Sequence, residues 1–180
     1  MSKPIYLVAA TALAMFTMPL TAQDLSVEPA QKPATQVDIA GFLALSAEVA
    51  RYRQARLIER EDFFALAAKE GVLLLDTRSA ADFAAGHVEG AINLPFSEFT
   101  DEKLREVIGE DQQRIILIYC NNNFSDDTPP IMVKRRQLAL NIPTFINLYG
   151  YGYKNIWELD GVIAVKDVAW ISAADQLSGT

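Results

Sequence analysis

Apolar residues in this chain gather into short continuous runs, separated by polar segments with helical spacing. Val72-Leu73-Leu74-Leu75, closed by Asp76, and Ile115-Ile116-Leu117-Ile118-Tyr119, closed by Cys120, are two such runs. Runs of this length predict strands buried on both faces, as in parallel sheets. Ala91-Ile92-Asn93-Leu94, stopped by Pro95, and Asn155 to Leu159, stopped by Asp160-Gly161, predict two more strands, and Leu57-Ile58 reads as a short edge strand. Between them lie helical signals. Glu61 to Glu70 is acidic at its start and closed by Gly71, Asp82 to Ala85 suggests one turn, and Asp101 to Ile108 suggests two. Pro129 and Pro130 fit the first turn of a helix ending near Asn141, with Pro143 stopping simple continuation. Thr144 to Tyr149 reads as helix or as strand. Ile39, Phe42, Leu43, Val49 and Tyr52 follow a capping Asp38 at near-helical spacing, so residues 38–56 predict an amphipathic N-terminal helix that packs on the domain.

Strands alternating with helices predict an α/β fold: a mainly parallel central sheet with helices on both faces, plus the extra N-terminal helix. The expected core is Val72, Leu73, Leu74, Ile92, Ile115, Ile116, Leu117 and Ile118.

A length of 180 residues, 51% of them hydrophobic, fits one domain with tails. Residues 1–22 read as an export signal: Lys3 gives a positive start, Ile5 to Met18 an apolar stretch, and Leu20-Thr21-Ala22 a cleavage site. The stretch is short for a membrane span, and no cysteine follows it to carry a lipid anchor. Residues 23–37, with Pro29 and Pro33, read as a linker, 57–170 as the domain and 171–180 as a C-terminal tail. The expected location is therefore periplasmic or secreted, with no stable membrane anchor. A net charge of -7 and no dense basic run argue against nucleic-acid binding. Lys134-Arg135-Arg136 reads as a solvated helix face.

The chemistry centres on the only cysteine. A buried strand that ends in Cys120 places it where open α/β sheets keep their ligand crevices. Asn121, Asn122 and Asn123 follow, and Asn tolerates left-handed backbone, so the loop is expected to turn its N–H groups inward as an anion nest and lower the thiol pKa. The competing reading is a small apolar core residue beside a polar turn. One histidine and one cysteine are too few good ligands for a metal site, and no motif calls for a cofactor.

Asp76-Thr77-Arg78-Ser79-Ala80-Ala81-Asp82-Phe83-Ala84-Ala85-Gly86-His87-Val88-Glu89-Gly90-Ala91-Ile92-Asn93-Leu94-Pro95 resembles the first signature of rhodanese-like domains. The strand into Tyr119-Cys120 resembles that family's active-site strand, and Asn155 to Ile163 its closing segment. The resemblance implies a sulfurtransferase in which Cys120 accepts a sulfane sulfur as a persulfide and passes it on. It assigns the cradle to Asn121, Asn122, Asn123, Phe124 and Ser125. Asp76, Arg78 and His87 are expected to be structural, with Asp76 tying backbone N–H groups and Arg78 pairing with Asp82. The loop departs from the family in lacking its usual Gly and Arg, and Asp126 and Asp127 follow instead. Those acids disfavour anionic donors if they face the pocket. The Tyr-rich insertion from Pro143 to Tyr153 packs in the core, roofs the pocket or offers a surface to a protein partner.

Three functions follow. The first is an exported sulfurtransferase taking small-molecule or protein-bound sulfur donors and acceptors. The second is a non-catalytic rhodanese-fold binding module. The third is a phosphatase, which lacks an Arg close after Cys120 to grip the phosphate.

Overall fold

The computed structural model describes residues 36–178, with side chains as far as Asp175. The export signal and nearly all of the linker lie outside the described residues. Seven strands are described: β1 Leu57–Ile58, β2 Leu73–Asp76, β3 Gly86–Val88, β4 Ile92–Asn93, β5 Ile116–Tyr119, β6 Ile156–Leu159 and β7 Trp170–Ser172. Five of them form one sheet in the order β1-β6-β5-β2-β4, and every neighbouring pair is parallel. The α-helices are α1 Ile39–Arg53, α2 Arg60–Ala67, α3 Ala80–Ala85, α4 Asp101–Ile108, α5 Asn141–Gly150 and α6 Ala173–Ser178. The α/β architecture with a parallel sheet and an N-terminal helix is the one predicted.

Alternation along the two central strands divides the core. Leu73, Leu75, Ile116 and Ile118 face a cluster with Val49 of α1, Leu104 and Ile108 of α4, and Phe145 and Leu148 of α5. Leu74, Leu117 and Tyr119 face the other side, with Phe63 of α2, Phe124, Ile131 and Ile163. Successive residues of a strand point to opposite faces, so one continuous apolar run serves both clusters. Ile92 departs from the expected core: it is 45% exposed because β4 is the sheet edge.

Helix ends follow their caps. Asp38 accepts from the N–H of Gly41 at 2.8 Å, and α1 continues into a 3-10 turn, Gln54–Arg56, which gives the expected span. Ser79 and Thr100 accept in the same way from Asp82 and Lys103. The helix expected from Pro129 to Asn141 is absent. Only a 3-10 turn, Arg136–Leu138, interrupts that segment, so Lys134 and Arg135 do not lie on a helix face. The helix begins at Asn141 instead and settles the ambiguous Thr144 to Tyr149 as helical. Pro143 falls in its first turn, where an N–H has no intrahelical acceptor to lose.

The Tyr-rich insertion packs inward. Phe145, Leu148, Tyr149 and Tyr153 are buried, and Tyr52 of α1 meets the rings of Phe145 and Tyr149 at 6.4 and 5.0 Å. Residues 171 and 172, expected in a tail, belong to β7, which pairs antiparallel with β3 and sets Ile171 opposite His87.

Candidate functional site

β2 and β5 are adjacent and parallel with Asp76 opposite Tyr119, so their C-terminal ends bring Asp76 and Cys120 to the same edge of the sheet. Ligand crevices of parallel sheets open at such ends. A cavity of about 250 Å³ lies there, lined by Thr77, Arg78, Ser79, Asp82, Pro95, Phe96, Cys120, Asn121, Asn122, Lys134 and Leu140, among others. The cysteine forms part of its wall and is only 1% exposed.

The loop after Cys120 is not the left-handed nest that the asparagines suggested. Among the described residues no non-glycine residue has positive φ, and Asn121–Asn123 forms a 3-10 turn with Cys120 as its N-cap. Asn122 donates its backbone N–H to Sγ at 3.3 Å. The backbone N–H groups of Asn141 and Leu140, at the start of α5, make no such bond to Sγ but lie near enough to favour the thiolate. The groups that favour the thiolate thus come from two segments, the turn after Cys120 and the start of α5. These donors hold the thiol pKa down, but burial is the larger effect and pushes it up, with Glu158 adding to the rise. The expected lowering of the thiol pKa is therefore reversed.

The five predicted loop residues divide. Asn121 and Asn122 line the cavity. Asn123 is buried: its Oδ1 accepts from the N–H of Cys120 at 2.9 Å, and its Nδ2 donates to the carbonyls of Leu159 and Gly161 at 2.8 and 3.3 Å. Phe124 packs edge-on against Tyr119 and Trp170, with centroids 5.9 and 5.4 Å away. Ser125 is exposed, and its N–H donates to the carbonyl of Ile163 at 2.8 Å. Asn123, Phe124 and Ser125 therefore do not line the cavity.

Arg78 pairs with Asp76 rather than with Asp82. Nη2 and Nε reach the Asp76 carboxylate at 2.7 and 3.0 Å, and Nη2 also donates to the carbonyl of Gly86 at 2.7 Å. Tyr119 donates its hydroxyl to the same carboxylate at 2.6 Å, and the backbone N–H of Arg78 adds a bond at 2.9 Å. Asp82 instead accepts from the Ser79 hydroxyl at 2.6 Å. Nη1 of Arg78 points towards Asn121 Oδ1 at 3.4 Å, so the guanidinium is anchored at one end while its other end meets the cavity. His87 lies away from the cavity. Its Nδ1–H donates to the Phe83 carbonyl at 2.8 Å, and its ring stacks on Phe83 at 3.7 Å.

Sequence reasoning missed Lys134. The side chain of Asn122 pairs with the backbone of Lys134, donating to its carbonyl at 2.7 Å and accepting from its N–H at 3.2 Å. Asn121 likewise donates to the carbonyl of Met132 at 3.1 Å. The basic cluster was visible, but its route back to the cavity was not. Asp126 and Asp127 are tied elsewhere, accepting from the N–H groups of Val165 and Val133 at 2.8 and 3.0 Å, and neither lines the cavity. The cavity therefore has two cations, Arg78 and Lys134, against one carboxylate, Asp82. Among the described residues no group of three or more His, Cys, Asp or Glu side chains is arranged to hold a metal, and no helix is long and apolar enough to cross a membrane.

A family model for the rhodanese-like domain matches residues 59–164, more than half of the chain. The chain belongs to the rhodanese-like domain family, and its fold is of the sulfurtransferase type. Solved structures with a similar course include a protein from Bacillus halodurans, at 13% identity and a TM-score of 0.49 over 72% of this chain and 88% of that one. A rhodanese-like domain from Anabaena matches at 18% identity and a TM-score of 0.39, over 56% and 92%. The polysulfide-sulfur transferase homodimer of Wolinella succinogenes matches at 18% identity and 0.39, over 70% and 85%. Comparison with the curated proteins finds no match.

Proposed function

We propose that this protein is an exported sulfurtransferase in which Cys120 carries sulfane sulfur as a persulfide. The observation that carries this reading is the hydrogen bond from the Asn122 N–H to the sulfur of Cys120, at the wall of a small cavity that Arg78 and Lys134 also line. Preorganised donors of this kind stabilise negative charge that develops during reaction. In the loading step the Cys120 thiolate attacks the outer sulfur of a donor such as thiosulfate. The new S–S bond forms as the donor's own S–S bond breaks, and sulfite leaves with the electron pair. The added sulfur extends about 2 Å beyond Sγ. In the second step a nucleophile such as cyanide takes that sulfur, the persulfide bond breaks, and the electron pair returns to Cys120.

With Asp126 and Asp127 turned away, the cations on the cavity favour small anionic donors. The expectation that Asp126 and Asp127 disfavour anionic donors therefore loses its physical basis. The phosphatase reading fares worse, because most donors of Arg78 are already committed to Asp76, Gly86 and Asn121.

The test is sulfur transfer to cyanide by the native protein and by Cys120→Ser. The native protein should turn over and gain the mass of one sulfur when mixed with donor alone, and Cys120→Ser should do neither. Equal activity in the two proteins, or an inert native thiol, favours the binding module. Export is checked by intact mass, with a periplasmic or secreted form beginning near Gln23 expected.

A further inference from the structure

Glu158 is a carboxylate in the middle of a buried sheet, 3% exposed, in a strand whose other residues are apolar. Isolated buried charges are costly, so its partners define its role. Arg53, on α1, meets it with two donors, Nε to Oε2 and Nη2 to Oε1, both at 2.5 Å. Asn141 donates from Nδ2 to Glu158 Oε1 at 2.8 Å, and the same Nδ2 donates to Asn123 Oδ1 at 3.0 Å. Asn123 Oδ1 in turn accepts from the N–H of Cys120 at 2.9 Å. An unbroken hydrogen-bonded chain thus runs from Arg53 through Glu158, Asn141 and Asn123 to the backbone of Cys120. Asn141 is also the first residue of α5, and its own N–H is near enough to the sulfur to favour the thiolate.

α1 lies outside the stretch 59–164 that matches the family. We infer that Arg53 of α1 and Glu158 of β6 are positioning residues of the Cys120 site, holding the first turn of α5 against the sulfur and setting the net charge beneath it. The inference rests on Cys120 being the reactive group. Glu158 is a negative charge under an atom that becomes negative, and Arg53 offsets it. The other charged groups that face the sulfur are Arg78, Lys134 and Asp82, which line the cavity on its open side. Asp160 lies close enough to act on Arg53. Separating Arg53 from Glu158 would leave the carboxylate uncompensated, while neutralising both would leave the hydrogen-bond chain with no net charge.

The experiment reads the rate of alkylation of Cys120 by iodoacetamide against pH, in the full chain, for the native protein, Glu158→Gln, Arg53→Met and the double variant. Gln keeps an acceptor for Asn141 but removes the charge. Glu158→Gln should move the midpoint down by roughly half a unit, and Arg53→Met should move it up by a similar amount. Adding Glu158→Gln to Arg53→Met should abolish the upward move. Such opposite and cancelling shifts are not the result of general loosening, which would move all variants in one direction. If Arg53→Met does not fold, the downward shift in Glu158→Gln, with near-UV circular dichroism unchanged, carries the test alone. Unchanged midpoints in every folded variant overturn the inference while leaving the persulfide reading intact. A native thiol that never alkylates overturns both.

Discussion

Asn122 and Lys134 are joined by two hydrogen bonds between the side chain of the first and the backbone of the second, at 2.7 and 3.2 Å. The amide acts as a short strand would, pairing with both the N–H and the carbonyl of one residue. Asn122 thereby presents its own N–H to Cys120 while fixing the segment around Lys134, and Lys134 takes a place on the cavity wall.

Lys134→Met should therefore raise KM for thiosulfate about 3- to 5-fold, as expected for an exposed charge worth under ~1 kcal/mol. The difference from the native protein should shrink with added salt. Asn122→Ala should reproduce it by releasing the segment. Steady-state kinetics at two ionic strengths check both, and a kcat effect without a KM effect would contradict this role.

Asp126→Asn with Asp127→Asn should leave thiosulfate turnover nearly unchanged. Both carboxylates already accept backbone N–H groups away from the cavity. The expected loss is in stability, about 0.5–1.5 kcal/mol per weakened bond. A several-fold gain in turnover would place the acids back in the pocket.

Stability should fall as pH rises through the alkaline range, with Tyr119 contributing. Burial, then the neighbouring Asp76 charge, holds the Tyr119 hydroxyl protonated well above its usual range. Its folded pKa is raised, so its contribution is complete below the unfolded value of about 10 and is lost above it, where only the unfolded chain gives up the proton. Tyr119→Phe should flatten that loss and cost roughly 1–3 kcal/mol at neutral pH, since Asp76 and the N–H of Val88 each lose a partner. Denaturant melts at pH 7 and pH 10.5 decide it.

Leu117→Ala should cost about 2–5 kcal/mol, through lost transfer energy and a cavity. The residue is 0% exposed on the central strand, between Leu74 and Trp157 in register. A cost below ~1 kcal/mol in urea would show a core able to collapse around the gap.

His87→Ala should lower the melting temperature and leave the alkylation profile of Cys120 unchanged. The ring is committed to Phe83, both by stacking and through Nδ1. A shift of a full unit in the thiol midpoint, with the fold intact, would return His87 to the chemistry.

The sequence alone determined the parallel sheet, the helix cap at Asp38, and the delivery of Cys120 to the end of a central strand. Each of these rests on a pattern within a few neighbouring residues. An apolar run buried on both faces, or a polar side chain one turn ahead of an N–H, carries its meaning locally. The tertiary structure decided the rest. Arg78 took Asp76 because the buried carboxylate also needed Tyr119 and a backbone N–H, a convergence from separate strands. Lys134 became part of the cavity through Asn122, twelve residues earlier. The helix expected at Pro129 was displaced to Asn141, which brings its first turn close to Cys120. The direction of the thiol's pKa reversed for the same reason. Desolvation depends on every element that closes over an atom, and no short stretch of sequence records that sum.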